Sequence, residues 1–159
     1  MIIKRFVFLL LGLLSSDVCL SQNSRYFSFA DTSVSVGQIH RLQILYELNK
    51  AKIKPETMPS VDSLYEFMVR NAKVKIEIDV HSDSRPNRSC SKPTQNRAQS
   101  IADSLIKKGI SVDRIIAKGW GERKLLISDE QIKKVKNKQE QEILHARNRR
   151  TEIKIIAAD

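Results

Sequence analysis

Eight residues constrain this chain more than any others: Val74, Ile76, Ile78 and Val80 alternate with Lys75, Glu77, Asp79 and His81. A period of two puts the aliphatic side chains on one face of an extended segment and the polar ones on the other, the pattern of a half-buried strand. Such a strand needs cover for its apolar face, and the flanking segments can supply it. Val61, Leu64, Tyr65 and Met68 fall at i, i+3, i+4 and i+7 behind Ser60 as a cap, which predicts a helix ending near Asn71. Ala98, Ile101, Ala102 and Leu105 make a second apolar stripe, with Thr94 as its cap and Gly109 as its stop.

Three further strands are expected. Leu42, Ile44, Tyr46 and Leu48 alternate with Gln43, Leu45 and Glu47, Val112 to Trp120 closes on Gly119-Trp120-Gly121, and Thr151 to Ile156 is the last. Asn49 to Pro59 reads as a loop. The charged stretch 129–145 has only Ile132, Val135, Ile143 and Leu144 as anchors and reads as a solvated helix. The resulting order, β-α-β-α-β-(α)-β, predicts an α/β sandwich in which helices pack on one mixed four-stranded sheet.

The chain has 159 residues, 41% of them hydrophobic, enough for one core and too few for a multidomain enzyme. Its first residues stand apart: Lys4 and Arg5 precede an apolar run from Phe6 to Leu14, then a polar and small-residue stretch to Ser21. This is the layout of a secretory signal cut after Ser21, and the run is shorter than the roughly 20 residues of a membrane span. A retained anchor and a lipid on Cys19 are the alternatives, the second opposed by the bulky Val18. The expected division is a signal peptide over 1–21, an N-terminal extension over 22–37 that is a tail or short edge element, and a domain over 38–159. Cleavage would leave Cys90 as the single thiol, so no internal disulfide is expected.

Several kinds of chemistry are argued against by spacing. His81, Ser82 and Asp83 have the residue types of a hydrolase triad, but strand alternation sends Ser82 to the face opposite the other two. His40, His81, His145 and Cys90 show no paired metal-ligand spacing, and no cofactor motif is present, so neither enzyme nor metalloprotein is expected. A net charge of +10 and the cluster Arg147, Arg149 and Arg150 raise nucleic-acid binding, which an export signal opposes. What remains is a binding rim. Asp83 lies just past the end of a strand and Arg97 near the start of the next helix, so their loop should bring a carboxylate and a guanidinium to one edge of the sheet. The two are either a structural ion pair or a site for a zwitterion, with Asp83 taking an ammonium and Arg97 a carboxylate.

Four segments in order carry a family resemblance: Ile76 to Asp83, ending in His81-Ser82-Asp83; Asn96-Arg97-Ala98; Ile110 to Glu122 with Gly119-Trp120-Gly121-Glu122; and Asn148-Arg149-Arg150-Thr151-Glu152-Ile153. From about Leu42 to Ile156 the chain resembles the OmpA-like peptidoglycan-binding domain, found also in peptidoglycan-associated lipoprotein and in flagellar stator proteins. The resemblance implies a non-catalytic module that holds the diaminopimelate of the peptidoglycan stem peptide, in the periplasm or at the periplasmic face of the outer membrane. It implies that Asp83 and Arg97 grip the amino-acid head of that residue, with Asn49 and Arg149 lining the pocket and His81, Cys90 and Thr94 as further candidates. The chain departs from the family pattern at Ser89-Cys90 and Pro93, and its interval from Asp83 to Arg97 is one residue short. Those departures leave a second expectation, a domain of this fold that serves as a protein-interaction element of an envelope complex.

Overall fold

The computed structural model of the chain describes residues 25–85 and 91–158. The expected signal peptide, Cys19, and Ser89 and Cys90 of the expected loop lie outside the described residues. In chain order the elements are β1 (Ile39–Leu42), α1 (Met58–Arg70), β2 (Lys75–His81), α2 (Ser91–Lys107), β3 (Ile115–Gly121), α3 (Asp129–Lys133), α4 (Lys138–Asn148) and β4 (Thr151–Ala157). The four strands form one mixed sheet in the order β1-β4-β2-β3, with β2 parallel to β3 and β4 antiparallel to both its neighbours. The α/β class and the mixed four-stranded sheet are therefore those expected. The parallel pair needs a crossover, and α2 provides it.

The sheet's inner face carries Ile76, Ile78 and Val80 of β2 and Ile153 and Ile155 of β4. Val61, Leu64, Phe67 and Met68 of α1, and Ala98, Ile101, Ala102 and Leu105 of α2, close the core from above, so both predicted helical stripes face inward. Each large aliphatic side chain so buried stabilises the fold by about 1.5–3 kcal/mol before the entropy of ordering it is subtracted. The Ser-rich N-terminal segment is not a free tail. Tyr26 bridges Ile39, and the buried Phe27 packs 5.3 Å from the Phe67 ring.

The expected half-buried strand is in fact buried on both faces, with Glu77, Asp79 and His81 each under a tenth exposed. β2 lies between β4 and β3, and long side chains from those neighbours roof its polar row. Lys118 pairs with Glu77 at 2.5 Å, the Trp120 indole N–H donates to Asp79 at 2.7 Å, and Glu152 faces His81 at 3.6 Å.

Several expected boundaries move for local reasons. The first strand ends at Leu42, not Leu48, because Leu42 pairs with Thr151, the first residue of β4, and nothing lies beyond it to continue the ladder. Residues 43–54 fold back as an irregular hairpin closed by the Tyr46–Ile53 bridge, with Asn49 at its tip at φ 56. Helix α1 opens at Met58 and carries Pro59 in its first turn, where a missing N–H costs nothing. Ser60 is not its cap. Thr94 is not a cap either: α2 begins at Ser91, and the buried Thr94 hydroxyl accepts the Gly121 amide at 3.0 Å. The helix stops as expected at Gly109, which takes φ 105. The stretch 129–145 is two short helices, because Ser128 with Gln131 forms a capping box and Asn137 accepts from the amides of Gln139 and Glu140.

One close approach fixes where α2 lies. Gln95 accepts the Gly119 amide at 2.7 Å and donates to the Ala117 carbonyl at 3.0 Å, so its side chain binds β3 as another strand would. A Cβ on Gly119 would stand 2.0 Å from the Gln95 nitrogen. Only glycine fits there.

Candidate functional site

The site is at the end of the sheet where β2 finishes and β4 begins, the rim the sequence indicated. Asp83, two residues past β2, has no solvent-exposed surface. One of its oxygens, Oδ2, accepts from Arg85 twice, at 2.6 and 3.1 Å, and from Arg149 at 2.6 Å. Glu142 of α4 completes a ring, accepting from Arg85 at 2.6 Å and from Arg149 at 2.8 Å. Two carboxylates and two guanidinium groups thus alternate around a closed circuit. The other Asp83 oxygen, Oδ1, is buried and has no hydrogen-bond partner.

Burial on its own would raise the Asp83 carboxyl, but the hydrogen bonds and charges of Arg85 and Arg149 outweigh it and hold the group below the usual carboxylate range. Asp83 is therefore an anion at neutral pH. Glu142 is held low by the same two arginines.

Arg97 lies elsewhere on the rim and is not paired with Asp83. Its Nε donates to the Lys50 carbonyl at 3.3 Å, and its guanidinium carbon sits 4.9 Å from the centre of the Tyr46 ring. Among the described residues it forms no ion pair, so its charge is without a carboxylate. Burial pushes the Tyr46 hydroxyl up to about 12, opposed by Thr151 and by the Arg97 charge. Tyr46, beside the first residue of β4, thus joins Arg97 to the rim that carries Arg149. Asn49 is at the exposed hairpin tip, next to the Lys50 carbonyl that receives Arg97.

The remaining candidates are dispersed. His81 lies under the sheet's outer face between Glu152 and Arg150, and burial together with the Arg150 charge lowers its pKa to about 4, against the opposing pull of Glu152. It is a neutral imidazole and touches none of the ion ring. Thr94 is spent on Gly121, as described, and Cys90 lies outside the described residues.

Arg85, Glu142 and Tyr46 were not foreseen. A signal existed for two of them: Arg85 is two residues from Asp83, and Glu142 precedes Arg149 by seven, two helical turns that put both on one face. A cavity of about 240 Å³ adjoins the ring, between the Ser84–Arg85 bend and helices α3 and α4. Ile132 floors it, Asp129 and Lys133 stand at its walls, and the Ser84 hydroxyl bonds Asp129. Among the described residues no three His, Cys, Asp or Glu side chains are grouped to hold a metal ion, and no helix is long and apolar enough to cross a membrane.

A mixed sheet in the order β1-β4-β2-β3 under helices, with a buried acid just past the end of its second strand, defines an α/β sandwich. The chain belongs to the OmpA family, whose pattern it matches over residues 45–139, more than half its length. It is 32% identical over 90 residues to outer membrane porin F of Pseudomonas fluorescens, a match covering 55% of this chain and 28% of that protein. The chain thus spans under a third of that relative's length. Among solved structures it is similar to the cell wall anchor of the T6SS from Pseudomonas aeruginosa, with TM-score 0.54 and 24% identity over 71% of this chain and 75% of the other. The periplasmic domain of Helicobacter pylori MotB superposes with TM-score 0.60 at 17% identity, covering 76% and 83% of the two chains.

Proposed function

We propose that this protein is exported and holds the bacterial cell wall without catalysis, by gripping the zwitterionic head of the stem-peptide diaminopimelate of peptidoglycan. The observation that carries the reading is a complementary pair of unfilled valences on one rim. Asp83 presents a buried oxygen without a donor, and Arg97 presents a guanidinium without a carboxylate. An ammonium fits the first and a carboxylate the second, in the bidentate geometry that guanidinium favours. Membership of the OmpA family and likeness to a protein described as a cell wall anchor support the same class of partner. Arg149 keeps Asp83 charged, and Asn49 shapes the hairpin whose Lys50 carbonyl steadies Arg97. The protein acts in the periplasm or at the periplasmic face of the outer membrane, where residues 1–21 would direct it.

Co-sedimentation with purified sacculi tests this. The protein is expected to pellet, to be released by free diaminopimelate, and to lose binding in Asp83→Asn and Arg97→Ala while Lys134→Ala retains it. Equal loss in Lys134→Ala would reduce the interaction to net charge. A second reading, a protein-interaction element, is favoured by the closure of the ion ring over Asp83, and a folded protein that stays in solution with sacculi at both low and moderate salt would select it.

A further inference from the structure

We infer that Arg85 is an internal occupant of the cation place on Asp83, and that it makes the site selective for a whole zwitterion over a simple ammonium. The inference rests on the proposed grip of Asp83 and Arg97 on an amino-acid head.

The geometry is that of a covered site: Oδ1 has no donor among the described residues, but the residue has no exposed surface. Among the described residues Arg85 gives Asp83 two of its three hydrogen bonds, and Glu142 holds the same guanidinium from outside at 2.6 Å. The carboxylate has no exposed surface while Arg85 is there. A ligand cation can reach it only by moving a neighbour, and the two arginines differ in freedom. Arg149 stands in the two-residue connection between α4 and β4, its backbone amide bonded to the His145 carbonyl. Arg85 stands in the bend after β2, outside any strand or helix, and its side chain lines the adjoining cavity, where the Asp129 carboxylate offers a second partner. Arg85 borders that cavity and Arg149 does not.

Displacement sets the selectivity. An ammonium arriving alone replaces one cation on Asp83 with another and also breaks the Arg85–Glu142 pair, so it gains nothing. A zwitterion makes the same exchange and adds a carboxylate to Arg97, which has none. Only the second ligand has a surplus with which to open the ring. Glu142 comes from the long charged connection between β3 and β4, so that stretch takes part in ligand choice.

The test is calorimetric titration of the full protein and its variants with diaminopimelate and with 1,5-diaminopentane, which keeps both amines and lacks both carboxylates. The wild type is expected to bind the first and not the second. Arg85→Gln, which loses the charge and keeps a shorter polar side chain, is expected to bind diaminopimelate about threefold or more tightly and to acquire binding of the diamine. Glu142→Gln should move both in the same direction by a smaller factor, and Lys134→Gln, an equal loss of charge on an exposed helix end, should move neither. A wild type that binds neither ligand overturns the selectivity, whatever Arg85→Gln binds. Unchanged or weaker binding in a folded Arg85→Gln variant overturns it, while loss of binding in Asp83→Asn leaves the wall reading standing. Retention in Asp83→Asn overturns both, and binding by neither wild type nor Arg85→Gln overturns the gate, since removing the occupant would then open no site.

Discussion

Replacing Gly119 by alanine tests whether the fold places the binding rim as argued. The new methyl would meet the Gln95 nitrogen at 2.0 Å, its Cα at 2.4 Å and the Thr94 carbonyl carbon at 2.5 Å, all backbone atoms of α2. Carbon contacts relax at about 3.5–4.0 Å, so the helix has to retreat by about 1.5 Å. No rotamer change relieves a clash with backbone. Overpacking of this kind costs about 1–3 kcal/mol. Retreat also breaks the two bonds of Gln95 to β3, at about 0.5–1.5 kcal/mol each, so the sum is about 2–6 kcal/mol. For a domain of this length that lowers Tm by about 4–24 °C. Urea unfolding followed by far-ultraviolet dichroism and by the fluorescence of Trp120, the single tryptophan, measures it. Gln95→Ala is the control, because it removes the bonds without the clash and should cost less. Arg97 is on the same helix two residues past Gln95, so a folded Gly119→Ala protein should also bind sacculi more weakly. A Gly119→Ala protein within about 0.5 kcal/mol of wild type would refute the claim that this contact sets the helix.

Two further predictions concern buried polar groups. Asn148 is fully buried and accepts the amides of Leu126 and Ile127 while donating to the Ile127 carbonyl. Asn148→Ala strands all three backbone groups and should cost about 2–4 kcal/mol in urea midpoint analysis, with Asn148→Asp intermediate. His81 has a folded pKa lowered to about 4 from 6.5, so the unfolded imidazole takes a proton between those values that the folded one refuses. Its contribution to stability is complete above about pH 6.5 and lost as pH falls towards about 4. Urea midpoints should therefore drop across that window, and a folded His81→Gln protein should lose that part of the slope; an unchanged slope would sink the assignment.

The fold was legible where periodicity is dense. Strand β2 and the inward stripes of α1 and α2 follow from side-chain spacing, and the order of elements follows from them. Boundaries were less legible because they depend on partners: β1 stops where β4 begins, which no residue of β1 announces. The second burial of β2 was hidden for the same reason. Glu77 and Asp79 read as solvent-facing until Lys118 and Trp120 of the neighbouring strand are laid over them, where burial and the Glu77 charge push the Asp79 carboxyl up against the Trp120 hydrogen bond. The two helices of 129–148 were legible in their caps, Ser128 with Gln131 and Asn137, which the charge density of the stretch masked. At the rim, Asp83, Arg97 and Arg149 were visible from the motifs that hold them, but the contacts among them were not. Sequence separation gives no hint that Asp83 prefers Arg149, 66 residues away, to Arg97.

The ion ring explains why a basic, charge-rich insertion is compatible with a buried acid. A carboxylate with no exposed surface is stable as an anion only if cations stay beside it, and removing its last partner is costly. Two arginines let the tasks be divided. On the proposed reading, Arg149, just before β4, would keep Asp83 ionised, while Arg85, in a bend beside a cavity, would leave without stranding a charge. Glu142 then decides how readily it leaves, because it is half exposed and its pair with Arg85 is weakened by water and salt. A site with Arg149 alone would be open to any ammonium, and a site with two fixed arginines would be shut. On the proposed reading, the pairing of one retained and one displaceable guanidinium would let a ligand with both charges enter where a ligand with one would not.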